Sequence, residues 1–74
     1  MNALQELRRQ RLLTQRELAE AVGVRLQTVQ TWEAGTRSPR PAQLRKLCEV
    51  LEVTPADLLA ALDAVQAERG KEAA

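Results

Sequence analysis

The stretch Gln15-Arg16-Glu17-Leu18-Ala19-Glu20-Ala21-Val22-Gly23-Val24-Arg25-Leu26-Gln27-Thr28-Val29-Gln30-Thr31-Trp32-Glu33-Ala34 decides the fold. It reads as two short helices joined by a tight turn. Thr14 stands just before it as an N-cap, with Glu17 three residues on, the capping-box signature of a helix start. Gly23 supplies the left-handed backbone that ends the first helix without a Cβ penalty. A second helix runs from about Leu26 to Ala34 and stops at Gly35.

Three positions make the turn specific. Ala19 is small where two helix axes cross closely, Gly23 permits the reversal, and Val29 fills the angle together with Leu18 and Val24. Those needs are the needs of a helix-turn-helix. The pattern Leu13-Thr14-Gln15, Leu18-Ala19, Gly23-Val24, Val29, Trp32-Glu33-Ala34-Gly35 and Arg37-Ser38-Pro39 resembles the lambda-repressor-like (XRE-type) family of DNA-binding domains. The resemblance covers roughly residues 4–60. It implies an all-α, compact five-helix domain whose partner is double-stranded DNA.

Composition agrees with that fold class. Seventy-four residues make one domain near the lower limit for a self-sufficient core. With one Trp and neither Phe nor Tyr, Leu, Val and Ala must fill the interior. Such small cores often lean on a partner, which favours a homodimer. No apolar run approaches the roughly 20 residues of a membrane span, and the amphipathic start bearing Arg8, Arg9 and Arg11 is not a signal peptide. A single cysteine cannot form an internal disulfide, which fits a cytoplasmic setting. The net charge of +1 hides an asymmetry. Residues 1–46 carry nine positive and four negative side chains, and residues 47–74 carry two positive and six negative. The N-terminal part is therefore suited to an anionic partner.

We expect helices over about 2–11, 15–22, 26–34, 41–51 and 55–68, forming one domain over 1–69, with a disordered tail at 70–74. Asn2 caps the first helix, with Gln5 in the return position, and Leu4, Leu7 and Leu12 form its buried stripe. The resemblance implies that Arg8, beside that stripe, pairs with Glu33 and ties the first helix to the third. The N-terminus of the second helix exposes unpaired N–H groups and is a natural phosphate seat. There the resemblance implies that Gln15 contacts a phosphate, and Arg16 stands beside it as a second candidate.

The third helix resolves by angle, at about 100° per residue. With Val29 taken as inward, Trp32 and Glu33 fall on the same side, and Trp32 is expected in the core. Gln27 and Thr31 fall opposite, flanked by Gln30 and Ala34. Gln makes paired hydrogen bonds to adenine, and Thr offers a hydroxyl and a methyl. Arg25 and Leu26 begin the helix, the end that enters the major groove deepest in this motif. Arg25 suits guanine or a phosphate; Leu26 suits a thymine methyl or the core. The candidate base contacts are thus Arg25, Leu26, Gln27, Gln30 and Thr31. Relatives commonly have Ser at the Arg25 position as the cap and a polar or basic residue at Leu26. Arg has no oxygen acceptor with which to cap the helix. Thr28 points sideways toward a phosphate, and loop residues Arg37 and Arg40 reach the sugar–phosphate backbone.

Pro41 starts the fourth helix, which buries Leu44, Leu47, Cys48 and Leu51. Cys48 on that stripe is an inert filler. Thr54-Pro55-Ala56-Asp57 starts the fifth helix. We expect Leu59, Leu62 and Val65 on it to pack against a second copy; the rival arrangement is intramolecular packing on the first helix.

No His, no glycine-rich phosphate loop and no metal-ligand cluster occur in the chain, so catalysis, a metal site and a cofactor are not expected. No small-molecule ligand is evident. The leading reading is a sequence-specific transcriptional regulator, a repressor acting as a homodimer on a palindromic operator. The competing class is a protein-interaction module, such as an adaptor or an antitoxin with a protein partner, in which DNA binding is secondary or lost.

Overall fold

The computed structural model describes the backbone of residues 2–73 and the side chains of residues 2–68. Each helix begins where a local signal tells it to. The Asn2 side chain accepts from the Gln5 N–H at 2.9 Å, and the Gln5 side chain accepts from the Asn2 N–H at 3.2 Å, opening α1 (Ala3–Gln10). Thr14 and Glu17 make the same reciprocal pair, each at 3.0 Å, to open α2 (Gln15–Val22). α3 (Leu26–Ala34) follows the Gly23 turn. α4 (Pro41–Leu51) starts on a proline whose missing N–H costs nothing there. α5 (Pro55–Ala73) starts with the Thr54 hydroxyl accepting from the Asp57 N–H at 3.1 Å. Among the described residues there are five helices and no strand.

Apolar faces then converge. Leu4, Leu18, Val29, Leu47 and Leu51 are completely buried, and Ala19, Trp32, Leu58 and Val65 complete the cluster. α2 packs on α3, while α5 lies against α1, α3 and α4 and closes the core from one side. Trp32, at 2% exposed, sits in that interior as its spacing from Val29 predicts.

α5 departs from expectation in two ways. It continues to Ala73, past the expected end at about 68; one glycine among helix formers costs only about 1 kcal/mol, too little to stop it. Ala74 lies outside the described residues. Secondly, Val65 is 3% exposed and belongs to the domain's own core, so it is not available to a second copy. The inward stripe is Leu58, Ala61 and Val65, spaced three and four apart, with Leu62 partly buried at its edge. Leu59 falls off that stripe and is 50% exposed.

Leu12 is the other correction. It is 90% exposed, with φ +57°, and not part of the α1 stripe. The chain must turn back between α1 and α2. The N–H of Leu12 bonds the Arg9 carbonyl at 2.9 Å and that of Leu13 bonds the Arg8 carbonyl at 3.3 Å, closing a Schellman turn. The left-handed residue of such a turn is usually glycine; here it is leucine, at a cost of roughly 1–2 kcal/mol. Leu12→Gly should therefore stabilise the domain by about 0.5–1 kcal/mol once glycine's extra chain entropy is subtracted. In thermal denaturation followed by circular dichroism, Tm should rise by about 2–8 °C. A fall in Tm would mean that the exposed leucine is held by contacts that offset its strain.

Arg11 fastens the far end of this turn. Its Nε donates to the Leu51 carbonyl at 3.0 Å, and a terminal nitrogen lies 3.3 Å from the Glu52 carboxylate. Glu52 itself ends α4 in the left-handed conformation, at φ +55°. The arginine that follows α1 thus caps the last turn of α4, a link between residues 40 apart in the chain.

Candidate nucleic-acid interface

The site is built around the turn at Gly23. Its φ is +85°, and its N–H bonds the Ala19 carbonyl at 2.8 Å. A Cβ placed there would meet nothing within 4 Å, so backbone conformation, not crowding, calls for glycine. The turn sets α3 across α2 at the buried Ala19, 2% exposed.

α3 begins at Arg25, which makes no side-chain cap bond. Its carbonyl instead accepts from Thr28 and Val29 at 3.0 and 3.4 Å. Val29, Trp32 and Glu33 face inward; Gln27, Gln30 and Ala34 are exposed; Leu26, Thr28 and Thr31 are half-buried. The side-chain amides of Gln27 and Gln30 bond to no other group of the protein among the described residues. At the other end, Gly35 ends the helix with φ +80°, and the N–H groups of Thr36 and Arg37 both reach the Thr31 carbonyl, at 3.1 and 3.4 Å. These bonds pin the loop to α3, so Gln27, Thr28, Thr31 and Arg37 line one shallow, open depression.

Beneath this surface lies a buried ion pair. Arg8 Nε donates to Glu33 Oε2 at 2.8 Å and a terminal nitrogen reaches Oε1 at 3.4 Å. The other terminal nitrogen donates to the Leu13 carbonyl at 2.8 Å. Arg8 is 8% exposed and Glu33 3%. The Asn2 side-chain amide donates to the Glu33 carbonyl, so one residue caps α1 and holds the last turn of α3. Among the described residues no buried side-chain nitrogen or oxygen lacks a partner. Satisfaction of this kind offsets much of the desolvation cost of burying a charge pair.

Gln15 joins the same cluster, which sequence reasoning missed. One of its side-chain N–H groups donates to Glu33 Oε1 at 2.9 Å. It stands at the first position of α2, and the capping pair consumes the N–H groups of Thr14 and Glu17 there. The backbone N–H groups of Gln15 and Arg16 are left over, the feature that makes a helix start attractive to anions. The Thr14 N–H, bonded to the Glu17 carboxylate, holds that carboxyl below its ordinary value, with the Thr14 hydroxyl adding to the effect. Because the folded value is depressed, this support for α2 is present above the unfolded glutamate pKa and fades as pH falls through the folded one.

Four arginines, Arg16, Arg25, Arg37 and Arg40, stand exposed at the start of α2, the start of α3 and the loop between α3 and α4. None has an acidic partner among the described residues. Arg40 also precedes α4, where its N–H donates to the Gln43 side chain at 2.8 Å. Away from this surface, Cys48 is a half-buried free thiol packed against the core. Among the described residues no group of three or more His, Cys, Asp or Glu is placed to hold a metal ion, and no helix is long and apolar enough to cross a membrane.

Comparison with known proteins points the same way. The family described as helix-turn-helix matches residues 4–58. An uncharacterized HTH-type transcriptional regulator, RghRB of Bacillus subtilis (strain 168), is 43% identical over 65 residues, which is 86% of this chain and 47% of that protein. The chain thus spans about half the length of the curated relative it matches. No solved structure matches it.

Proposed function

From the premise that this chain belongs to the XRE-type helix-turn-helix family of DNA-binding transcription regulators, we propose that it is a repressor that binds a palindromic operator as a homodimer in the cytoplasm. One observation carries the reading: α3 turns an exposed row of Gln27 and Gln30 outward, with Thr31 beside it and the unpaired Arg37 at the rim. Such a row has free hydrogen-bonding edges and no carboxylate, which suits it to base pairs in a major groove. Gln27, Gln30, Thr31, Arg25 and Leu26 take the base edges. Arg16, Arg37, Arg40, Thr28 and Gln15 take the backbone, Gln15 through the N–H that Glu33 leaves free. Leu59, with the exposed edge of Leu62, supplies the contact between copies. Binding blocks a promoter by occupying it.

The direct test is selection from a random DNA pool, followed by measurement of affinity against salt. A homodimer with α3 in successive grooves should enrich an inverted repeat with half-sites about 34 Å apart, centre to centre. Three arginines per copy on phosphates imply that log K falls by about 5 for each tenfold rise in salt. A flat salt response, or a pool with no enriched sequence, would favour the competing protein-interaction role.

A further inference from the structure

We infer that Thr31 selects thymine through its 5-methyl group and not through a hydrogen bond. The inference rests on the DNA reading above and gives that site the chemistry of one of its bases. The Thr31 hydroxyl is turned back on its own helix and donates to the Thr28 carbonyl at 2.7 Å. A hydroxyl has a single proton. With that proton committed, Thr31 has nothing to donate to thymine O4 or to the O6 and N7 acceptors of guanine. With the hydroxyl turned to its own helix, the methyl is the group left for the depression that Thr31 lines with Gln27, Thr28 and Arg37. A thymine methyl in the major groove is the apolar feature that such a group packs against.

Two further observations make this a reading head and not a loose contact. The Thr31 carbonyl is held by the N–H groups of Thr36 and Arg37 and by the Thr36 hydroxyl at 3.3 Å, so the backbone behind the methyl is fixed. Gln27 lies one turn earlier on the same face, with both ends of its amide free for adenine. A paired amide and a methyl, one helical turn apart, describe a half-site that carries an adenine and a thymine in neighbouring positions. While its proton goes to Thr28, the hydroxyl oxygen keeps lone pairs that can accept from adenine or cytosine, and Thr31→Val, which removes that acceptor, separates such a contact from the methyl.

The experiment uses the full chain and the duplex enriched from a random pool. Each thymine of a half-site is replaced in turn by deoxyuridine, which removes the methyl and nothing else, and affinity is read by fluorescence anisotropy. We expect one thymine per half-site at which uracil weakens binding about fourfold, the worth of one buried methyl group. Thr31→Val, which keeps the methyl and discards the hydroxyl, should retain that penalty, and Thr31→Ser should abolish it. An enriched duplex indifferent to uracil at every position would overturn the inference and leave the DNA reading standing. So would a penalty that survives in Thr31→Ser, which would assign the methyl contact to another residue, such as Leu26. A pool that yields no enriched duplex would overturn both.

Discussion

Glu33→Ala is expected to cost about 3–5 kcal/mol of folding stability, the penalty for leaving a buried guanidinium without its counterion. Arg8 is 8% exposed, and its other terminal nitrogen is committed to the Leu13 carbonyl at 2.8 Å. Gln15 would lose its acceptor at the same time. A 74-residue domain has a total stability of only about 4–11 kcal/mol, so this one change should remove a third or more of it. Urea denaturation would measure it. The double variant Arg8→Met, Glu33→Leu is the informative control, because replacing both charges with apolar groups is often neutral or better. It should recover most of the loss. If the single variant instead cost less than about 1 kcal/mol, the pair would not be what holds α1 to α3.

Gln27→Ala should weaken binding to the preferred duplex by about 1–3 kcal/mol and relax selectivity at one position. Gln27 is exposed, has no partner within the protein, and therefore loses nothing but its contacts to DNA. Arg37→Ala is expected to behave differently. Arg37 lines the same depression, and the bond from its backbone N–H to the Thr31 carbonyl holds its main chain there. Losing its charge should lower affinity for all sequences alike and reduce the salt slope by about one per copy. Titration of each variant against the enriched duplex and a scrambled one separates the two. Equal losses on both duplexes for both variants would remove the division between base readers and phosphate holders.

Helix starts were legible because the signals that set them are local. Asn2 with Gln5, Thr14 with Glu17, Pro41, and Thr54 with Pro55 each satisfy or excuse orphan N–H groups within one turn. Gly23 and Gly35 carry the left-handed conformations that end α2 and α3. The angular reading of α3 held for Trp32 and Glu33 inward and Gln27 and Gln30 outward, with Thr31 half-buried: once Val29 points inward, helical geometry sets its neighbours' sides. The missing cap at Arg25 was also visible, since arginine has no acceptor to offer.

Partner choice and end effects were not legible. Leu12 looks like one more member of an apolar stripe, yet α1 ends two residues before it and the turn takes it to the surface. Leu59, Leu62 and Val65 share one apolar face in the sequence, but which of them meets the core depends on where α1 lies. Gln15 finds Glu33 across 18 residues, and Arg11 finds the end of α4 across 40.

Residue order alone, then, was enough for five helices, where each begins and the outward face of α3, because those follow from bonds spanning three or four residues. The burial of Val65, the exposure of Leu12 and the joining of Gln15 to the Arg8–Glu33 pair came from how the helices pack on one another. Packing brings together groups far apart in the chain, and no short-range periodicity encodes such meetings.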